Sequence, residues 1–490
     1  MTAPQAQGDG AAGSSSGGSG THFRTLGGLP ALALVAGSML GIGIFISPPE
    51  VAAYVTGSGP FMLVWILGGL AALFGALSLA ELGAMMPRDG GDYAYLRQSW
   101  GPGIAFAAGW LQLLAIFPGS LASVAVATAK YQLPTLFGAS VAEPVAILGW
   151  SVPASHLWAA GIIVALTIIN HVGVKISGVV QVLVTSVPLA VLLITTLVVL
   201  WSQDPATPPE VLTGSNESAS EASVFDLAHA YLPVYFAYSG WNAAIYVGGE
   251  IKNPARNLPR ALVGGTAIVT ALYLILCAGF LEVFSLEGLA DVGEAGTAAA
   301  QAIFGPLGVL VVTGLIVLAM IGSLNGSVLT GSRIAFAMGK QGDCAKAAGD
   351  LHPRFATPAV ALWMQCGIAL ALLFLDLALF GDGLDTLIAY TSSAMLITGT
   401  LTVLSVVILR RRLPKLERPY RTFLYPLPPV LYAISSVLVL AVLARQGDPS
   451  VWIAAGWFAG ALLFYRLFHR RRAAGPEAPD PAAHVVQPKR

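Results

Sequence analysis

Twelve stretches of this chain are apolar for about the 20 residues that a helix needs to cross the hydrocarbon of a bilayer. They lie near 29–48, 60–86, 102–127, 155–171, 176–201, 227–249, 261–283, 306–330, 357–378, 384–409, 424–444 and 451–468. Lipid offers no partner to backbone N–H and C=O groups, so each stretch must satisfy its own hydrogen bonds as a helix. No alternating strand pattern competes with these runs, which sets a membrane barrel aside. Only 10% of the 490 residues are charged, against roughly a quarter in a soluble domain. That is too little charge for the surface of a soluble multidomain enzyme. The 25 Lys and Arg balance the 25 Asp and Glu, so no basic excess is available to displace the counterions of a nucleic acid. Three cysteines do not make a disulfide scaffold. The chain reads as an all-α polytopic membrane protein with twelve transmembrane helices.

Charge sets the expected orientation. With both termini on one side, every Lys and Arg except Lys130 and Arg445 falls on that side, which the positive-inside rule makes cytoplasmic. Asp204, Glu210, Glu217, Glu221 and Asp226 share one loop on the other side. Compact loops and Ala/Gly-rich composition point to a bacterial inner membrane. Residues 1–24 form an expected disordered cytoplasmic segment, too poor in apolar side chains to fold; no basic stretch runs directly into an apolar one as in a signal peptide. Spans 1–5 occupy 25–201, an external loop 202–226, spans 6–10 227–412, spans 11 and 12 413–468, and a cytoplasmic tail 469–490.

Two spans carry interruptions. Span 1 contains Gly37-Ser38-Met39-Leu40-Gly41-Ile42-Gly43, and each Gly weakens a helix by about 1 kcal/mol relative to Ala. Span 6 contains Phe236-Ala237-Tyr238-Ser239-Gly240-Trp241-Asn242. If spans 1–5 and 6–10 are inverted repeats, the two breaks correspond, which points to a transporter binding site at the bilayer midplane. A close-packing surface of small residues is the competing account of either cluster taken singly. A broken helix exposes N–H groups at the start of its second half and C=O groups at the end of its first. The Ile42 and Gly43 N–H groups should therefore meet an anion, and the Met39, Phe236 and Ser239 carbonyls an ammonium. A free α-amino acid carries both charges, and neither break holds a charged side chain.

Gly41-x-Gly43-Ile-Phe, Ala80-Glu81-Leu82-Gly83 and Gly90-Gly91-Asp92-Tyr93-x-Tyr95 resemble the amino acid–polyamine–organocation superfamily. The run Phe236 to Asn242, Glu250-Ile-Lys-Asn253-Pro254-x-Arg256-Asn257-Leu-Pro259, Asn325-Gly326-Ser327 and Glu417-Arg418-Pro419 resemble its L-type amino-acid transporters. The resemblance implies the leucine-transporter fold, a 5+5 inverted repeat with spans 1 and 6 broken and two further C-terminal helices. It also implies alternating access and sodium-independent transport, usually by exchange, here of neutral amino acids. Carried over by position, Gly41, Ile42 and Gly43 would hold the substrate carboxylate, and Met39, Phe236 and Ser239 the amine. Phe236 would be the outer lid, with Trp241 and Asn242 near the pocket wall. Ile42 departs from the Ser or Thr usual between the two glycines, losing a hydroxyl but keeping the N–H. Cys277, Cys344 and Cys366 all lie away from the loop between spans 3 and 4, so no disulfide-linked heavy chain is expected.

Lys175 admits two readings. By spacing it is an interfacial Lys reaching for water. By resemblance it stands in for a structural sodium ion, bridging the span 1 break to Ser323, Asn325 and Ser327 in span 8. A charged Lys175 would tune the inner gate, whereas a titrating one would make a proton-coupled symporter; both stand. Glu81, near Arg88, and Glu250 are read as structural. Span 10, with Tyr390 and Ser392, and span 3, with Gln112, Phe117 and Ser120, should line the side-chain pocket, although packing explains the Ser residues equally well. Neither span shows an acid at mid-depth, which argues against cationic substrates.

A Walker A loop is lacking, since Gly339-Lys340 runs into Gln341. No metal-binding spacing appears among the seven His, and no Gly-x-Ser-x-Gly elbow is present. No cofactor, metal or enzymatic activity is expected. The expected partners are an amino-acid substrate and the lipid bilayer. A non-transporting amino-acid receptor is the alternative from another class.

Overall fold

The computed structural model describes Arg24 and residues 26–88, 90–147, 150–172, 178–201, 224–380 and 384–469. Ten helices among these are long and apolar enough to cross a membrane. Two further spans complete the order: the helix Gly178–Trp201, and span 6, divided into Val224–Ala237 and a short turn Ala243–Tyr246. Lys175 lies outside the described residues.

Several helices overrun the stretches expected from hydropathy. The eighth extends over Ala295–Lys340, kinked where Gly305 takes φ +64° before Pro306. Its first turns form because Glu294 caps them, accepting from the Gly296 and Thr297 N–H groups at 2.6 and 2.8 Å. The third continues from Pro102 to Phe137, with five-residue π-turns at Gln112–Ile116 and Thr128–Gln132. Such turns interrupt the regular ladder and recur at functional sites. A two-stranded antiparallel hairpin, Val145–Ile147 with Trp150–Val152, precedes span 4; hydropathy had shown no strand.

The first half of span 6 packs along the second half of span 1, while the first half of span 1 lies against spans 5, 7 and 8. Span 2 packs along span 7, and span 10 along span 11 and the short helix Gly91–Ser99 that links spans 2 and 3. The two interrupted spans are thus surrounded by continuous helices, and the residues of both breaks are largely buried.

Glu81 finds a partner other than the expected Arg88. Its helix runs on to Met85, which leaves Arg88 beyond its end. From span 10, Arg410 grips Glu81 with both Nε (2.8 Å) and Nη2 (2.5 Å). Arg418 lies 3.3 Å away, and Thr422 donates its N–H at 2.7 Å. Glu250 reaches Arg333 at 3.3 Å. Both are structural ties, as expected, but across long stretches of sequence.

Candidate functional site

The first helix of span 1 stops at Met39 and the second starts at Gly43. Leu40 leaves the helical region, at φ −74° and ψ 73°. Gly41 N–H turns back to the Met39 carbonyl at 2.8 Å, and Phe45 and Ile46 donate to the Ile42 carbonyl. Among the described residues the Ile42, Gly43 and Ile44 N–H groups have no protein acceptor. They form the unpaired start of the helix Gly43–Tyr54. In span 6, Ser239 N–H bonds the Phe236 carbonyl at 2.9 Å and Ala243 N–H bonds that of Gly240 at 2.9 Å. The Ser239 carbonyl takes no donor among the described residues.

The breaks touch backbone to backbone. Gly240 takes φ +91°, and a Cβ there would sit 2.7 Å from the Ser38 carbonyl oxygen. A Cβ on Gly43 would come within 2.5 Å of the Ala237 Cα. Only glycine permits either approach.

Tyr273, from span 7, was missed by sequence reading. Fully buried, its hydroxyl donates to the Met39 carbonyl at 2.6 Å and lies 3.2 Å from that of Ala237. It clamps the broken end of span 1 to that of span 6. The available signal was a lone hydroxyl in an aliphatic run, since a buried Tyr needs a partner. The Met39 carbonyl is consequently taken twice, by Tyr273 and by Gly41 N–H, and the Gly41 N–H is used in the same turn. A carbonyl has two lone pairs, so the expectations that Met39 receives an ammonium and that Gly41 offers its N–H do not fit this conformation. Tyr273→Phe removes one hydrogen bond between the breaks, worth about 0.5–1.5 kcal/mol net, since the Met39 carbonyl keeps its bond from Gly41 N–H. The expected result is substrate binding weakened by up to about tenfold, measured by titration calorimetry.

The breaks open on a cavity of about 80 Å³. Gly41, Ile42, Gly43, Met39, Phe236, Ser239, Trp241 and Asn242 border it, as do Ser323, Ser327 and, from span 3, Gln112, Phe117 and Ser120. The structure thus brings together most of the candidates. Ser323 Oγ donates to the Ser38 carbonyl at 3.3 Å. Asn325 is turned away and accepts from Asn170 at 2.7 Å. Tyr390 and Ser392 are not among the lining residues. Span 10 meets the cavity with Met395, Thr398 and Gly399; Met395 and Gly399 continue the face of Ser392 by about one and two turns, whereas Tyr390 lies on another face. Tyr390 instead borders a separate cavity with Glu50, Tyr54, His229 and Asp448. Span 11 also contributes a residue: Tyr432 joins the wall and shares a hydrogen bond of 2.6 Å with Tyr235.

One lining residue comes from outside the membrane spans. Neither span 3 nor span 10 supplies an acid, yet Asp92 reaches the cavity from the helix Gly91–Ser99. Its Oδ2 accepts from Tyr246 (2.9 Å) and Gln112 (3.2 Å). The acid lies in a connecting segment, so a search confined to spans could not find it.

Two interrupted spans that meet around a small polar cavity inside a helical bundle define a secondary transporter architecture. Residues 26–464 match the amino acid permease family model, and the chain belongs to that family. It is similar to the serine/threonine exchanger SteT of Bacillus subtilis, 33% identical over 85% of this chain and 90% of that one. It is 30% identical to the Asc-type amino acid transporter 1 of Mus musculus, over 87% of this chain and 78% of that one. It is 28% identical to the mouse b(0,+)-type amino acid transporter 1, over 90% and 87% respectively.

Proposed function

We propose that this protein is a sodium-independent exchanger of neutral L-amino acids, working by alternating access as one helix bundle rocks against another around the two breaks. The observation that carries this reading is the pair of unpaired backbone ends facing one cavity. The Ile42 and Gly43 N–H groups take the substrate carboxylate, while the Phe236 and Ser239 carbonyls take its ammonium. Trp241 and Asn242 stand at the wall, and Met395, Thr398 and Gly399 face the side chain. The relatives named as an exchanger and as amino acid transporters support the substrate class and the mode. Spans 1–5 and 6–10 serve as inverted repeats, with both termini on the cytoplasmic side of the cell membrane. The chain acts without a disulfide-linked subunit in this reading, since Cys277, Cys344 and Cys366 all lie away from the loop between spans 3 and 4.

Proteoliposome uptake of labelled neutral amino acids tests the proposal, with internal amino acid, sodium and a pH gradient varied separately. Exchange requires internal amino acid and ignores sodium. Uptake driven by inward protons alone would replace it with symport, and saturable binding without any uptake with a receptor. Phe236 is 3% exposed beside the break. Phe236→Ala should lower uptake at least tenfold, because the substrate loses its lid toward the outside. An unchanged rate would remove Phe236 from the gate.

A further inference from the structure

Asp92 is fully buried, and its Oδ1 has no hydrogen-bond partner among the described residues. The side-chain oxygen of Gln112, beside it, is also unpartnered. The cluster joins three separate segments. Asp92 and Gln112 belong to the helix Gly91–Ser99 and to the π-turn of span 3. Tyr246 belongs to the inner end of span 6, just after the break. Asn242 donates to the Tyr246 hydroxyl at 3.1 Å, and Tyr246 donates to Asp92. A run of hydrogen bonds therefore connects the break to this acid. Gly90 N–H adds a long bond to the Tyr246 carbonyl, and the Tyr246 ring sits where any Gly91 side chain would go.

Apart from Arg88, the cationic side chains around this helix are engaged elsewhere. Arg97 pairs with Asp343 at 2.7 Å, Arg333 with Glu250, and Arg410 and Arg418 with Glu81. Arg412 donates to the Ser99 carbonyl. The titratable hydroxyls electrostatically coupled to Asp92 are those of Tyr95, Tyr235, Tyr246 and Tyr432, and Arg88 acts on Tyr95. No described cation is within ion-pair distance of Asp92. An unpaired buried carboxylate is unstable, and such a group either neutralises or stays wet.

We propose that Asp92 is a proton-binding site that latches the cytoplasmic side of the cavity: protonated while Tyr246 and Gln112 enclose it, and ionised once the inner end of span 6 swings away and water enters. The neutral acid gains a partner for its O–H when the Gln112 amide turns its oxygen toward it, as an amide can present either end. The proton leaves to and returns from the same compartment, so the latch regulates exchange without being carried across. This inference rests on the alternating-access reading, which supplies the swing of span 6.

Burial raises the Asp92 carboxyl from its ordinary range to about 7, against the Tyr246 hydrogen bond, which lowers it. Hydrated in the open form, it returns to about 4. Closing thus takes up a proton between those values. Lowering cytoplasmic pH through about 7 favours the closed form; below about 4 both forms are protonated and the effect ends. Between pH 8 and pH 6 the closed form gains about tenfold.

The test uses the full chain in proteoliposomes with internal pH varied at fixed external pH. Wild-type exchange should fall as much as tenfold from internal pH 8 to 6, and Asp92→Asn, a permanently neutral mimic, should be slow and flat. A wild-type profile retained in Asp92→Asn overturns the latch. So does a profile lost together with uptake of lysine or arginine alone, which would make Asp92 a cation subsite. Tyr246→Phe removes the bond favouring the charged acid and should move the profile to higher pH; no movement counts against the proposal. An infrared difference spectrum of purified wild type minus Asp92→Asn should show the carbonyl stretch of a protonated acid that titrates near 7. Its absence overturns the site even if the protein transports no amino acid.

Discussion

Gly240→Ala is expected to abolish amino-acid uptake while the protein still inserts and folds. The residue holds φ +91°, a conformation that costs an L-residue about 1–2 kcal/mol. The added methyl would also press within 2.7 Å of the Ser38 carbonyl oxygen and 3.0 Å of the Ser38 Cβ. That contact is backbone on backbone, so no side-chain rotation relieves it. The break of span 6 must back away from that of span 1, and the Ser239 carbonyl moves with it. Positioning errors near 1 Å cost about a hundredfold when several groups must act together. Calorimetric binding should weaken at least tenfold and proteoliposome uptake should fall below a hundredth of wild type. Near-normal uptake would mean that the contact of the two breaks is dispensable.

Glu81→Ala should produce the largest loss of stability, about 3–5 kcal/mol, the range for removing one partner of a buried ion pair. The carboxylate is 1% exposed and engages Arg410, Arg418 and Thr422 together. Arg410 is further held over the Tyr425 ring at 3.6 Å, and Arg418 donates to the Leu413 and Leu416 carbonyls at 2.8 Å each. Both cations therefore stay in place when the anion is removed, and their charge goes uncompensated. The variant should unfold at markedly lower temperature in detergent and accumulate poorly. Arg410→Ala alone should cost less, since Arg418 remains to pair the acid. Equal losses in the two variants would show that Arg418 contributes nothing.

What could be read in advance follows from the range of the forces involved. Spans are legible because a bilayer imposes a fixed length of apolar helix, whatever the neighbours. The breaks are legible because glycines, polar residues and missing hydrogen bonds are local, and the free N–H groups of Ile42 and Gly43 follow from helix geometry alone. Span 10 shows the limit of such reading. Its apolar pattern identifies a helix, but Met395, Thr398 and Gly399 face the cavity, where Tyr390 and Ser392 had been expected. Which part of a helix faces a cavity is set by how neighbours pack, and the Ser and Thr residues spread from Thr391 to Ser405 carry no mark of it.

Sequence by itself therefore determined the class of protein, its spans and the two interruptions, all consequences of solvent and of hydrogen bonds between near neighbours. Tertiary structure alone decided which groups remain free to bind. Tyr273 occupies the Met39 carbonyl from 234 residues away, Arg410 rather than Arg88 neutralises Glu81 across 329, and Asp92 enters the cavity from a linking helix. Each depends on close approach between distant segments. A charge or hydroxyl is satisfied by whatever lies within about 3 Å, and the order of residues along the chain does not specify that neighbour.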